Sequence, residues 1–289
     1  MFDTAPVQRD IFERSLAFKS ADGAELVGRM YRPVQRPFAA VVLNSATGVP
    51  QRYYAPFARW LAAERGMACL TYDYRGLGRS TAGPLRKVRA TMADWGIRDQ
   101  VAARRAMRAT LPGTPLWVIG HSLGAMVLPN QPEMEDVARV IGVASGMVHH
   151  SDHPWPYRAV ALNFWFTVGP LATALCGYLP GKALRLGEDL PAGVFWQWRK
   201  WCTSRDFYDA DIGPDLPAPD WRSRADVRLY SFADDDLIPP HCVQRLADVY
   251  GGDAQHVTIA PQDHGVASIG HIGAFARRNA ALWPRLIEG

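Results

Sequence analysis

Apolar residues in the first half of the chain fall in short runs separated by amphipathic stretches, a pattern of strands alternating with helices. Residues 25–31 (ELVGRMY) and 39–44 (AAVVLN) are β-prone, the second run almost wholly apolar, as a strand covered on both faces must be. Phe57, Trp60, Leu61 and Glu64 recur at i, i+3, i+4 and i+7, so a helix with one mainly apolar stripe is expected, stopped by Gly66. Residues 67–72 (MACLTY) return as a strand. Asp94 is expected to cap the N-terminus of a helix that runs to about Leu111 and closes at Pro112 and Gly113. Residues 116–120 (LWVIG), 139–145, 227–232 and 257–260 supply further strands. Repeated β-α-β units predict an α/β fold with a mostly parallel central sheet, because parallel strands need crossovers and the crossover helices cover both faces.

The pattern breaks for about 80 residues between the strands near Ser145 and Val227, which predicts an insertion. Residues 155–208 hold 12 of the chain's 31 aromatic side chains, where even spreading would place about six. Such a segment is either a subdomain with an aromatic core of its own or a lid over the sheet's carboxyl end, where open α/β sheets bind ligands. The division expected is a core of residues 1–147 and 223–289 interrupted by a lid of residues 148–222. Within it, residues 159–181 carry no charge over 23 positions, enough for a membrane span by length. Pro170, Asn163, Gly169 and Gly177 argue instead for two short elements inside the protein or at its surface.

Composition narrows the function classes. A chain of 289 residues, 48% hydrophobic and 21% charged, can build a self-sufficient core and is not disordered, collagen-like or coiled-coil. The net charge of +4 comes from scattered basic residues, which argues against a nucleic-acid partner. Cys69, Cys176, Cys202 and Cys242 lie far apart without metal-ligand spacing, so buried free thiols in a reducing compartment are expected. His149, His150, Asp152 and His153 enter the insertion as a polar cluster, but no second cluster completes a coordination set, and neither metal nor cofactor is expected. The first residues (MFDTAPVQRDIFERS) lack an apolar targeting core, so a cytoplasmic location is expected.

The chemistry concentrates at Gly120-His121-Ser122-Leu123-Gly124, a GxSxG segment between a strand and a helix-compatible stretch. A serine on so tight a turn projects its hydroxyl freely, and the Leu123 amide at the helix start points to where an oxyanion would form. A serine hydroxyl is a poor nucleophile unless a base removes its proton, so a histidine and an orienting acid should follow. Asp234, Asp235 and Asp236 come directly after the strand at 227–232, and His264 and His271 lie near the C-terminus. The order Ser, Asp, His suits the nucleophile elbow, with any of the three carboxylates and either histidine open as partners.

These motifs resemble the α/β-hydrolase superfamily, most closely its monoacylglycerol lipase or serine aminopeptidase-like branch, and the resemblance covers nearly the whole chain. Ser45-Ala46-Thr47-Gly48 and residues 49–58 can be laid on the branch's HGxGEHSxRYxxLA loop, with Ser-Ala in place of His-Gly. Residues 73–80 (DYRGLGRS) look like its DxRGxGxS loop, and residues 177–198 look like a little-studied group of predicted bacterial α/β-hydrolases. The resemblance implies that Asp235 is the acid, through the family's DxxVP pattern laid on Asp235-Asp236-Leu237-Ile238-Pro239, and that His271 is the base, through GHxGxF at residues 270–275. It gives Thr47 the second oxyanion amide and leaves Asp152 as a variant position for the acid.

A serine hydrolase of carboxylic esters or thioesters is therefore expected, acting on an apolar acyl or small aromatic substrate through an acyl-enzyme on Ser122. Trp155, Trp165 and Trp196 are the candidate substrate contacts in the aromatic cap, and a transient lipid-surface contact through the lid is a further expectation. The same triad supports acyl transfer or peptide cleavage, and a non-catalytic ligand-binding protein could keep the scaffold. Dehalogenase chemistry is disfavoured, because its nucleophile is a carboxylate where this chain has Ser122.

Overall fold

The computed structural model describes residues 10–221, 223–251 and 254–288. Its first half contains β1 (Ile11–Lys19), β2 (Glu25–Pro33), β3 (Ala40–Asn44), α1 (Ala55–Ala63), β4 (Ala68–Tyr72), α2 (Gln100–Thr110), β5 (Leu116–His121), α3 (Leu123–Met126) and β6 (Val137–Val143). There follow α4 (Tyr157–Asn163), α5 (Gly169–Cys176), β7 (Tyr178–Leu179), β8 (Leu190–Pro191), α6 (Ala192–Thr203), β9 (Asp226–Phe232), α7 (Pro240–Tyr250), β10 (Gln255–Ile259) and α8 (Trp283–Glu288). Eight strands form one sheet in the order β1-β2-β4-β3-β5-β6-β9-β10. Every pairing from β4 to β10 is parallel, and β2 runs antiparallel to β1 and β4.

Strand alternation divides the core into two layers. Val42, Leu70, Val118, Val140 and Leu229 face the layer that holds Ala103 and Met107 of α2 and Val243 and Leu246 of α7. Their neighbours Val41, Cys69, Ile119, Ile141 and Tyr230 face Phe57 and Leu61 of α1 and Trp283 and Leu286 of α8. Both faces of the central strands are thus apolar, which is why β3 and β4 are buried at every position.

Several local expectations change. β1 was not foreseen: it is an edge strand whose burial alternates only weakly, and it is held by pairing with β2 rather than by an apolar face. Asp94 is not the N-cap of its helix. Its backbone N–H donates to Thr91 Oγ1 (3.1 Å) and its Oδ2 accepts from the Thr91 N–H (3.0 Å), a reciprocal capping box that starts the helix three residues earlier. Cys69, Cys202 and Cys242 are buried free thiols, but Cys176, at the end of α5, is exposed.

Residues 157–176 form one helical run rather than two separate elements. A wider π-turn over residues 164–168 absorbs Pro170, which cannot donate to a helical carbonyl, so the helix continues through it. By length and composition this is the one helix among the described residues apolar enough to cross a membrane. Its inner side packs on α6 through Trp165 and Trp198, edge to face at 4.9 Å, while Val160, Phe166, Leu171 and Leu175 are exposed.

Candidate active site

Ser122 lies at the bend between β5 and α3 with φ 54° and ψ −116°, a conformation that costs a non-glycine residue about 1–3 kcal/mol and must be held by its surroundings. The surroundings are close-packed backbone. A Cβ on Gly120 would sit 2.3 Å from the Gly124 carbonyl carbon, and one on Gly124 would sit 2.3 Å from the Asn44 carbonyl oxygen. The two glycines of the motif let α3 approach β3 and β5 closely enough to form the bend. Asn44 Nδ2 then donates to the Gly124 carbonyl (3.0 Å), and Tyr72 donates to Asn44 Oδ1 (2.8 Å), so the floor of the bend is pinned from β3 and β4.

The backbone amides around the serine are unequally used. The Ser122 N–H donates to the Val143 carbonyl (2.9 Å), and the Ala46 N–H donates to Tyr54 Oη (2.9 Å). The N–H groups of Thr47 and Leu123 have no acceptor among the described residues; Thr47 lines the same cavity as Ser122, and Leu123 follows Ser122 as the first residue of α3. The Thr47 loop is held in turn by buried Asp73, which accepts from the Gln51 N–H (2.8 Å), Gln51 Nε2 (2.8 Å) and the Arg79 N–H (2.9 Å).

The three aspartates after β9 have different tasks. Asp235 Oδ1 accepts from the Leu237 and Ile238 N–H groups (2.9 and 3.0 Å), and its Oδ2 accepts from His271 Nδ1 (2.9 Å). Asp234 accepts from the Ile269 and Gly270 N–H groups (2.8 and 3.0 Å) and so shapes the loop that carries His271. Asp236 offers its carbonyl to His153 Nδ1 (3.1 Å). His264 lies in a short turn after β10, outside the cavity wall. With its Nδ1 proton directed at Asp235, His271 keeps an Nε2 lone pair, the form a general base needs.

Ser122, His271 and Thr47 line one cavity of about 200 Å³, closed mainly by apolar side chains of the insertion. Ser122 Oγ makes no hydrogen bond to another of the described residues, and its side chain faces the cavity it shares with His271. Of the three tryptophans singled out, Trp165 is on the cavity wall. Trp155 and Trp196 are 66% and 42% exposed and lie outside it. Helix phase explains Trp196: on α6 the residues Val194, Phe195, Trp201 and Cys202 turn inward, and Trp196 falls off that stripe. The wall instead contains Trp198, Cys202, Phe164, His153 and Tyr157, of which Trp198 and Cys202 could have been found from the i, i+4 spacing.

The polar cluster at the start of the insertion is tied into the structure. Asp152 accepts from both terminal nitrogens of Arg245 (2.5 and 3.0 Å) and from the His149 N–H (2.8 Å), so it does not serve His271. Burial pushes the Asp152 carboxyl up, but the Arg245 guanidinium and the His149 N–H outweigh it and hold the group well below the usual carboxylate range. Asp152, His241 and Cys242 bring three possible ligand atoms within 4.8 Å of one another, but the guanidinium cation already occupies the carboxylate.

The mostly parallel sheet, the bend after β5 and the loops after β9 and β10 define a class of protein. Residues 40–278 match the model of the alpha/beta hydrolase family, and the chain belongs to that family. Among solved structures it is similar to an esterase of Pyrococcus furiosus, with TM-score 0.61, 14% identity and coverage of 96% of this chain and 90% of that one. It is also similar to the 2-hydroxy-6-oxo-6-phenylhexa-2,4-dienoate hydrolase of a Rhodococcus strain, with TM-score 0.59, 16% identity and coverage of 96% and 99%. A curated relative, a monoglyceride lipase homolog of Monkeypox virus, is 27% identical over 101 residues. That match covers 34% of this chain and 34% of the relative, so it spans about a third of either protein.

Proposed function

We propose that the protein is a serine hydrolase that cleaves carboxylic esters or thioesters of an apolar acyl or small aromatic substrate through an acyl-enzyme on Ser122. The observation that carries this reading is a strained serine, the Thr47 loop and an Asp-oriented histidine lining one cavity, with the unused Leu123 amide next to the serine at the start of α3. His271 Nε2 takes the Ser122 proton as Oγ attacks the acyl carbonyl carbon, and the Thr47 and Leu123 amides hold the negative charge that develops on oxygen. The bond to the leaving group breaks as His271 returns the proton to it. Water, deprotonated by His271, then attacks the acyl carbon, and Ser122 recovers its hydrogen when the acid leaves. Asp235 keeps His271 in one tautomer and stabilises its imidazolium form.

The apolar wall favours an apolar acyl group, and the family and the named relatives are consistent with ester chemistry. The insertion acts as a lid in this reading; its Val160 and Leu186, together with Ile272 beside His271, are exposed at the cavity and suited to a substrate presented at a lipid surface. A panel of p-nitrophenyl esters of increasing chain length tests both parts. Hydrolysis that peaks at a defined chain length supports the reading, and no hydrolysis of any member contradicts it. A rise in rate above the substrate's micellar limit supports lipid contact, and a flat response counts against it.

A further inference from the structure

His121, the second residue of the GxSxG segment, does no chemistry in the proposed mechanism, yet it is fully buried in the middle of the site. It is bonded on both ring nitrogens: Nδ1 to Tyr54 Oη (2.8 Å) and Nε2 to the backbone carbonyl of His271 (2.9 Å). Tyr54 Oη also accepts from the Ala46 N–H (2.9 Å). The donors in this chain can be assigned from its ends. The His271 carbonyl can only accept, so His121 Nε2 carries the ring proton. In the neutral ring Nδ1 then has only a lone pair, so Tyr54 donates its own proton to it while its oxygen accepts from the Ala46 N–H.

We infer that Tyr54 and His121 form a positioning bridge that sets the oxyanion loop, the nucleophile bend and the histidine loop relative to one another, with His121 held as the neutral Nε2–H tautomer. The inference rests on the proposed function for its kinetic consequence. The bridge starts at Ala46, one residue before Thr47, passes through the residue before Ser122 and ends on the backbone of His271. Phe275 encloses it, its ring 5.2 Å from Tyr54 and 5.3 Å from His121, so no water replaces a lost member cheaply. Burial, aided by the neighbouring His271, pushes the His121 imidazole down to about 3, in keeping with a ring that stays neutral. A displacement of about 1 Å at any one of the three loops is enough to slow chemistry about 100-fold, which gives the bridge a role that packing alone would not have.

Two measurements test it. Tyr54→Phe keeps the ring and removes Oη, and His121→Gln can keep a donor toward His271 while losing the Nδ1 acceptor. On a p-nitrophenyl ester each variant is expected to lower kcat about 10- to 100-fold with KM within about threefold. The double variant should lose no more than about the worse single, since both cut one chain. Tyr54→Phe with kcat within twofold of an active wild type would overturn the bridge, as would a double variant whose losses multiply. The second measurement does not depend on activity: histidine-selective 15N spectra should show His121 with an unprotonated Nδ1 and a protonated Nε2 throughout pH 5–8. An Nδ1–H tautomer, or titration of that ring in this range, would overturn the assignment even in a protein that hydrolyses esters. An inactive wild type with the expected tautomer would instead refute the proposed function and leave the hydrogen-bond chain standing without its kinetic role.

Discussion

The bend around Ser122 and the insertion between β6 and β9 are built by opposite rules. At the bend Asn44 is fully buried with its side chain hydrogen-bonded, and two glycines fit where a single methyl group would meet backbone at 2.3 Å. In the insertion apolar side chains are left in solvent, with Leu175 85% exposed, Trp155 66% and Leu171 59%. Close packing stores the strain of one serine conformation and leaves no freedom to adjust. Loosely covered apolar surface can repack around different occupants. In the proposed function the reacting geometry therefore belongs to the sheet, and the choice of substrate to the helices laid over it.

The contrast can be broken most severely at the bend. Gly124→Ala should cost about 3 kcal/mol or more, because the new Cβ meets the Asn44 carbonyl and neither backbone can move; a urea midpoint close to wild type would show the bend to be pliable. Asp235→Asn should lower kcat about 10⁴-fold with the fold intact, by removing the acceptor that fixes the His271 tautomer. Asp234→Asn acts only on the loop and should lose much less, so equal losses would erase the distinction between the two carboxylates. In the insertion, Trp165→Ala should change the preferred acyl length and shift kcat/KM about 10-fold while folding persists, whereas Trp196→Ala should stay within about twofold. Chain-length profiles that move equally in both would remove the link between cavity wall and selectivity.

A further expected effect is on stability against pH. Burial lowers His121 to about 3 in the folded protein, below the ordinary histidine value it regains on unfolding. The unfolded chain then binds more protons between about pH 6.5 and 3, so this contribution is complete above pH 6.5 and is lost as pH falls toward 3. Its slope is at most about 1.4 kcal/mol per pH unit. Unfolding free energies at pH 7 and pH 5 should differ less in His121→Gln than in wild type, and an unchanged slope would place the titration elsewhere.

Much of this was legible in the sequence for a physical reason: the elements that build the sheet are local. The apolar run at 39–44 and the GxSxG turn carry their conformations in adjacent residues, and the segments DDLIP (235–239) and GHIGAF (270–275), through their resemblance to family patterns, mark two loops that meet only after folding. What escaped depends on contacts distant in sequence or on helix phase. β1 has little apolar periodicity and exists through its partner, and Pro170 reads as a break until a π-turn accommodates it. The resemblance selects Asp235 among the three aspartates, but what separates it from Asp234 physically is a long-range matter of which carboxylate faces His271 and which faces the 269–270 amides. The tie between Tyr54, His121 and the His271 carbonyl joins residues 67 and 150 positions apart, and no spacing rule reveals it.

The proposed function turns on whether Ser122 is acylated. Intact-mass analysis after treatment with a fluorophosphonate, followed by peptide mapping, tests this directly. The account predicts one covalent adduct per chain, located on Ser122 and absent from a folded Ser122→Ala variant that also loses at least about 10⁴-fold of its esterase activity. An unlabelled wild type, an adduct on another residue, or a Ser122→Ala protein that still turns over at the wild-type rate would contradict it.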